Sequence, residues 1–300
     1  MEKQRNKKGS LPIGLRIIGI IIAVLAAAYG LYAGMGNSTG NFDGEMQIFA
    51  LDVGQGDSFF IISPNGKTML IDSGESSNSK QIEQFIREKG VRQLDVVIGS
   101  HTHSDHVGSM PYLLDAFDVG KYVMSEAGLE TRIQKRINAV LEEKDIPCSY
   151  VWAGDVIDWD SDCKVTVLSP VPEFDEYSKT DWNEWSLIIR AEYANHSMIF
   201  TGDATVRSEQ AAMLNNEKYL FDADVLKVPH HGSTTSSSLG FLEAVSPEYA
   251  IISVGKGNSY GHPDYDTIQK LKQVNAEIYR TDELGTINIV FSANDIKITY

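Results

Sequence analysis

His101-Thr102-His103-Ser104-Asp105-His106 places four metal-type ligands within six residues, and it holds three of the chain's seven histidines. The apolar run at 94–99 just before it predicts a buried strand that ends at the ligands. Along extended chain His101 and His103 point to the same side, so both imidazoles can reach one cation. Asp105 and His106 lie past the bend and can face a second. Imidazole and carboxylate donors suit zinc, with manganese or iron as further options. Asp203 follows Gly202 at the end of a predicted strand, and its carboxylate offers two oxygens that can bridge two ions. His230 and His231 end another predicted strand, where Gly232 permits close approach of the backbone. Each signal is weak alone; their recurrence at three strand ends makes the pattern specific.

Ligands of this kind work only if a frame brings them to one edge. Strands are predicted at 46–53, 58–62 and 68–71, with Pro64-Asn65-Gly66 as a hairpin turn. A helix at 79–89 carries Ile82, Phe85 and Ile86 on one face, and the strand at 94–99 follows. Helices at 108–116 and 131–144 lead to a β-rich stretch at 150–168 and a polar loop at 173–183. Strands at 186–193 and 197–200 pair across Ala194-Asn195-His196. The remainder alternates: helix 206–214, strand 224–228, helix 239–244, strand 249–254, helix 265–273, and closing strands at 277–279 and 286–300. No internal repeat is visible. Two groups of strands, each followed by helices, predict an α/β fold with two sheets face to face and helices outside.

This frame sorts the other polar residues. His196 opens the strand that Asp203 closes, and seven extended residues separate them by up to about 23 Å, so it reads as an exposed turn histidine. His262, in Tyr260-Gly261-His262-Pro263, follows the strand at 249–254 and can return to the cleft as general acid, phosphate-oxygen donor or spare ligand; a structural histidine before proline is the other reading. Asp52 and Asp72 end or interrupt early strands and are placed to orient ligating histidines. Asp57 can do the same or stabilise its turn. Ser233, Thr234 and Thr235 offer hydroxyls near the site, or cap the next segment.

Composition sets the compartment. The chain has 300 residues, 42% of them hydrophobic, enough for one large domain or two small ones. Residues 1–16 carry five Lys/Arg against Glu2, a basic tail expected to stay in the cytoplasm. Residues 17–35 hold no charge and are long enough to span a bilayer. A retained transmembrane helix is the expectation, with the rest of the chain extracytoplasmic. A signal peptide cleaved near Ala26-Ala27-Ala28, which would make the protein secreted, is the other reading. Residues 36–45 form a polar, Gly-rich linker, and 46–300 the catalytic domain. The net charge is −15, and the five-against-one basic start leaves −19 for the rest. Such a body opposes loose binding to nucleic acid. Cys148 and Cys163 are the only cysteines; outside the membrane they can form a disulfide, and two unpaired thiols are the alternative.

The ligand pattern resembles the metallo-β-lactamase superfamily of binuclear hydrolases over residues 46–300. Its hallmarks here are the His-x-His-x-Asp-His loop at 101–106, the metal-bridging Asp203 and the late His231-Gly232. Four finer segments are similar to the extracytoplasmic hydrolase domain of the ComEC competence proteins. They are the stretch at 51–58, Leu70-Ile71-Asp72-Ser73-Gly74, the stretch at 226–233 and Tyr260-Gly261-His262-Pro263. The resemblance implies a four-layer αββα sandwich with two divalent ions, Zn2+ or Mn2+, at one edge. It implies metal ligation by His101, His103, Asp105, His106, Asp203 and His231, with His230 beside them or facing substrate. Most superfamily members add a third histidine to site one, but the segment Asp181-Trp182-Asn183-Glu184-Trp185-Ser186 has none. Asn183 and Ser186 match the subgroup's Asn-x-x-Ser, and an amide oxygen there favours manganese or weaker zinc binding. ComEC proteins also carry a multi-span channel, whereas this chain has at most one apolar span and is not expected to form a pore by itself.

The implied chemistry is hydrolysis by an activated water, with Asp105 and Asp203 holding it in line and His262 assisting. The leading expectation is a membrane-anchored, extracytoplasmic phosphodiesterase or nuclease acting on DNA. A cell-envelope phosphodiesterase, such as a teichoic-acid phosphorylcholine esterase, is the alternative. The acidic charge supports it, and Tyr177, Trp182 and Trp185 are candidates for a quaternary-ammonium cage. An inactive domain used for binding or assembly is disfavoured by the intact ligand set. The sequence identifies no protein partner.

Overall fold

Short, apolar segments that must be covered on both faces build the first sheet. The computed structural model describes residues 44–172 and 180–300. Its first strands, β1 (Met46–Ala50), β2 (Phe59–Ile62) and β3 (Thr68–Ile71), form an antiparallel meander, and every residue of β2 and β3 is buried. Helix α1 (Ser79–Glu88) crosses over, burying Ile82 and Ile86. The two-residue strands β4 (Gln93–Leu94) and β6 (Asp118–Val119) pair only with each other, because the backbone between β4 and β5 (Val96–Gly99) breaks at Asp95, whose carboxylate accepts from Thr68 N at 2.8 Å. β5 lies parallel to β3. After α2 (Ser104–Val107) and α3 (Met110–Ala116), β7 (Tyr122–Met124) continues the parallel set. α4 (Arg132–Glu143), capped by the Thr131 side chain, leads to β8 (Cys148–Tyr150) at the edge.

The second sheet starts antiparallel and becomes parallel. β9 (Cys163–Ser169), β10 (Ile188–Tyr193) and β11 (His196–Phe200) are antiparallel neighbours. α5 (Val206–Asn215), β12 (Val225–Lys227), α6 (Leu239–Val245), β13 (Tyr249–Ile252), α7 (Tyr265–Gln273) and β14 (Glu277–Arg280) then alternate, adding three parallel strands beside β11. Past α8 (Thr281–Leu284), the hairpin β15 (Ile287–Phe291) and β16 (Ile296–Thr299) returns to pair with β1. The first sheet therefore runs β16-β15-β1-β2-β3-β5-β7-β8 and the second β14-β13-β12-β11-β10-β9.

Three apolar layers separate four layers of structure. One cluster, including Ile48, Phe59, Ile98, Val167, Phe200 and Ile251, fills the space between the sheets. A second joins the first sheet to α1, α3 and α4 through Ile82, Leu113 and Ile137. A third joins the second sheet to α5, α6 and α7 through Ala212, Phe241 and Leu271. The expected αββα sandwich is present. The chain leaves β5, β11 and β12 at their C-terminal ends directly into the segments that carry 101–106, 203 and 230–231.

Several expectations need correction. β7 was not foreseen, since three residues are too few to show a period. The stretch at 150–168 is not continuously β-rich: β8 ends at 150, β9 begins at 163, and only an isolated bridge from Val156 to Thr166 lies between. Cys148 and Cys163 are free thiols. Cys163 Sγ lies 4.0 Å from Met46 Sδ on β1, which stands five strands from β8, so no disulfide can span that distance. The expected basic tail at 1–16 and apolar segment at 17–35 lie outside the described residues, as does all of the linker but Gly44 and Glu45. Among the described residues no helix is long and apolar enough to cross a membrane.

Candidate metal centre

The ligand loop is shaped by hydrogen bonds made before any ligand is considered. Ser100 N and Oγ donate to the two oxygens of Asp72 at 2.8 and 2.6 Å, which fixes the chain at the end of β5. His103 stands just before α2, and its carbonyl accepts from His106 N and Val107 N. That single helical turn moves Asp105 and His106 off the line of His101 and His103. Gly56 (φ +131°) presses on the same turn: a Cβ there would lie 2.1 Å from Asp105 O. Asp57 N can therefore donate to that oxygen at 3.2 Å.

The other two strand ends are equally constrained. Gly202 has φ +49°, and a Cβ would meet Ser100 Oγ at 2.7 Å, so glycine lets the end of β11 close onto the ligand loop. Asp203 N donates to Ser186 Oγ at 3.1 Å. After β12 the backbone is left-handed at three successive residues: His230 (φ 50°), His231 (φ 53°) and Gly232 (φ 85°). Such a conformation costs about 1–2 kcal/mol for each non-glycine residue. It is held by His230 N donating to Gly202 O at 3.1 Å and by Ser233 N donating to His230 O at 2.8 Å. Strain of this kind, kept by its surroundings, points to a functional site.

Two groups of side chains share Asp203. Asp105, His106, Asp203 and His231 bring one donor atom each within 4.8 Å of one another, and His101, His103 and Asp203 do the same. Asp203 Oδ1 lies 3.1 Å from His106 Nε2 and 3.4 Å from His231 Nε2, whereas Oδ2 lies 4.0 Å from His101 Nε2. Each oxygen thus faces one group. His101 Nε2 and His103 Nδ1 stand 3.0 Å apart. His106 Nε2, His231 Nε2, Asp203 Oδ1 and Asn183 Oδ1 are buried without a hydrogen-bond partner. Buried polar atoms with lone pairs and no donor are what a cation would satisfy, so these residues fit divalent metal ions.

The opposite ring nitrogens are occupied. His106 Nδ1 donates to Asp72 Oδ2 at 2.8 Å, His231 Nδ1 to Ser253 O at 2.9 Å, and His101 Nδ1 lies 3.1 Å from Ser100 Oγ. This leaves each Nε2 facing Asp203, as ligation of a shared ion requires. Asp57 Oδ1 lies 3.4 Å from His231 Nδ1, and its Oδ2 pairs with Lys227 Nζ at 2.7 Å.

Charge follows position. Burial opposes a charge on His106, but Asp203, Asp72 and Asp105 around it outweigh burial and hold its pKa well above the usual value. His231 is likewise opposed by burial and raised by Asp203, Asp57 and Asp105, to about 9. Burial is resisted in the same way at Asp203, whose pKa His106 and His231 keep well below the ordinary carboxylate range. His101 is pushed well down, first by burial and then by charged His106, and so stays neutral.

Above these groups lies a cleft of about 340 Å3, lined by Gln55, His103, Asp105, Asn183, His230 and His262 among others. His230 Nδ1 is 2.9 Å from Thr235 Oγ1, and its Nε2 is 3.6 Å from Asp203 Oδ2. His262 stands on the rim, 5.8 Å between ring centroids from His230, with Nδ1 3.4 Å from Asp264 Oδ2.

The expected residues 101, 103, 105, 106, 183, 203, 230, 231 and 262 thus meet in one place, with Asp57 and Asp72 behind them. Asp52 is not with them. Its Oδ1 accepts from Gly54 N at 3.1 Å, so it holds its own turn and orients no histidine. His196 is half-buried rather than exposed, its ring 5.6 Å from that of Phe291. Among the described residues no aromatic cage surrounds the cleft: Trp182 and Trp185 line a separate hollow with Glu126 and Glu130, and Tyr177 lies outside the described residues. Lys227 and Ser253 were not anticipated. A lysine inside the apolar run at 225–228 was the available signal for the first; a backbone carbonyl leaves none for the second.

Comparison with known proteins gives the same picture. A sequence model of the metallo-beta-lactamase superfamily matches residues 51–256. Over 260 residues the chain is 34% identical to ComE operon protein 3 of Bacillus subtilis, covering 81% of this chain and 33% of that protein. It is 28% identical to competence protein ComA of Neisseria gonorrhoeae, with 85% and 34% covered. The chain spans about a third of the length of these curated relatives. Igni18, a metallo hydrolase from Ignicoccus hospitalis, shares the fold with a TM-score of 0.54 at 14% identity, over 82% of this chain and 100% of Igni18.

Proposed function

Because the chain belongs to the metallo-β-lactamase superfamily, we propose that it is a hydrolase dependent on two divalent ions, Zn2+ or Mn2+, and that it cleaves phosphodiester bonds in DNA. The observation that carries this reading is the set of four buried, unpartnered donor atoms on His106, His231, Asp203 and Asn183. His101, His103, Asp203 and Asn183 would hold one ion, and Asp105, His106, Asp203 and His231 the other; when bound, the ions would supply an activated water and polarise the phosphoryl group. Asp203 spaces the two groups, Asp72 and Asp57 fix the rings of His106 and His231, and Asp105 faces the open cleft. His230 and His262 line the rim, where their ring nitrogens can donate to the phosphate or the leaving oxygen. An oxygen donor at Asn183 in place of a third imidazole favours phosphoester over amide chemistry. Similarity to two competence proteins supports DNA as the substrate, and residues 17–35 supply a membrane anchor with the catalytic domain outside the cytoplasm.

A second reading, hydrolysis of a cell-envelope phosphodiester, is favoured by the net charge of −15. Among the described residues it finds no aromatic cage at the cleft for a choline headgroup. The test is hydrolysis of a single-stranded oligonucleotide and of a phosphocholine diester chromogen by the metal-loaded full chain. Manganese- or zinc-dependent DNA cleavage is expected, reduced by about 10²-fold or more in Asp203→Ala and His103→Ala. Chromogen turnover with DNA untouched would move the enzyme to the envelope. Failure on both substrates with metal bound would leave a binding domain.

A further inference from the structure

The cleft that would hold a phosphodiester has no lysine or arginine in its wall among the described residues, but it does have an aromatic face. Tyr260 is 69% exposed and lines the cleft. Its ring lies within 13° of parallel to that of His262, with centroids 5.8 Å apart. The other strongly exposed tyrosines, at 112, 150, 219, 265 and 300, stand away from this wall.

The ring is carried on a braced loop. Asn258 Oδ1 accepts from Tyr260 N and from His262 N, both at 3.1 Å, and Asn258 Nδ2 donates to His262 O at 2.7 Å and to Gly255 O at 3.0 Å. Gly255 N donates in turn to Gln55 Oε1 at 3.2 Å, which ties the loop to another residue of the cleft lining. Asp264 N donates to Gly232 O at 2.9 Å. A Cβ on Gly232 would meet Pro263 Cβ at 2.6 Å, so the loop sits directly against the turn that presents His231. The backbone that carries Tyr260 is therefore fixed relative to the ligand groups, while its side chain stays largely exposed.

We infer that Tyr260 is the stacking platform for a nucleobase next to the scissile phosphodiester, and that the substrate is consequently single-stranded DNA. This deepens the phosphodiesterase reading and rests on it for the position of the phosphate. A base inside a duplex has both faces covered by its neighbours; only an unpaired base can lie on the tyrosine. Stacking also suits a cleft without cations, because every base has a π-face and none of this attraction depends on phosphate charge. Among the described residues one tyrosine beside one histidine is the aromatic wall of the cleft, which leaves a quaternary ammonium group unenclosed and makes choline the poorer fit.

The test compares wild-type full chain with Tyr260→Ala, Tyr260→Phe and Tyr260→Trp, loaded with manganese. Binding of a fluorescein-labelled phosphorothioate pentathymidylate is measured by anisotropy beside an abasic pentamer of equal length and charge. Hydrolysis of the ordinary phosphodiester pair is followed in parallel. Tyr260→Ala is expected to weaken pentathymidylate binding about tenfold and abasic binding less than about twofold, with Phe and Trp close to wild type. Hydrolysis should show the same pattern in KM, with a duplex the poorer substrate. Equal losses on both pentamers, or none on either, would overturn the stacking role even if DNA is cleaved. The expected binding pattern without hydrolysis would uphold stacking and overturn the phosphodiesterase reading instead.

Discussion

At the scale of single residues, the ligands could be read from type and spacing, whereas the buried ion pair behind them could not. Lys227 is 1% exposed, yet its ammonium has no water to solvate it; Asp57 Oδ2 at 2.7 Å and Gly202 O at 2.9 Å take that place. Asp57 is opposed by burial, but Lys227, His231 and His106 outweigh burial and keep its pKa below the ordinary value. Lys227→Met keeps the length of the side chain and strips the carboxylate of its nearest cation. Breaking a buried pair from one side costs about 3–5 kcal/mol. Urea unfolding of the metal-free chain should show a loss of that size, and Lys227→Met with Asp57→Asn should recover part of it. A loss below about 1 kcal/mol would mean that the two histidines suffice for Asp57. Proximity in sequence could not reveal this pair, because Asp57 lies in the loop before β2 while Lys227 ends β12 in the other sheet, and the two meet only when the sandwich closes. Asp52 shows the converse error: it shares Asp57's motif but turns to its own backbone.

The elements were mostly legible because strand and helix periods are strong where one face is buried. Helices at 206–214 and 265–273 were foreseen within a residue of α5 and α7. What they hold in place was not visible. Glu209 on α5 is buried, and its carboxylate accepts from Ser237 N and Ser238 N, while Lys270 Nζ on α7 donates to Ser237 O at 3.1 Å. The two helices thus clamp the segment that follows His231. Burial pushes the Glu209 pKa up to about 6, against those hydrogen bonds and Lys270. A carboxyl whose folded pKa exceeds its ordinary 4.5 adds stability below that value and loses it as pH rises through about 6. Glu209→Gln does not titrate. The stability of wild type relative to this variant should therefore fall by about 1–2 kcal/mol from pH 4.5 to pH 7.5 in urea unfolding of the metal-free chain. A constant gap would place the Glu209 pKa at its ordinary value. The missed elements fail for the opposite reason. β7 and β8 have three residues each, too few to carry a period, and their place in the sheet comes from parallel pairing with β5 and with each other.

For the whole molecule, the layer order followed from two groups of strands each succeeded by helices, and the charge was plain from composition; how an acidic protein could hold a polyanion was not. A net charge of −15 repels a strand of phosphates, and no lysine or arginine lines the cleft among the described residues. If the metal groups and Tyr260 hold the substrate, few phosphates lose their counterions on binding. For single strands the slope of log affinity against log salt is about −0.7 for each phosphate neutralised. With one or two phosphates engaged, raising salt from about 50 to 200 mM should weaken pentathymidylate binding by less than about tenfold. A cationic groove that neutralised all four internucleotide phosphates would weaken it by roughly 50-fold over the same range. Anisotropy titrations with the full chain separate the two. A steep slope would mean that cations away from the cleft wall track the strand, and that the substrate is held by charge after all. A shallow slope joined to loss of binding in Tyr260→Ala would explain why this protein can be acidic: its hold on DNA would depend on ions, which bring their own positive charge, and on a ring that carries none.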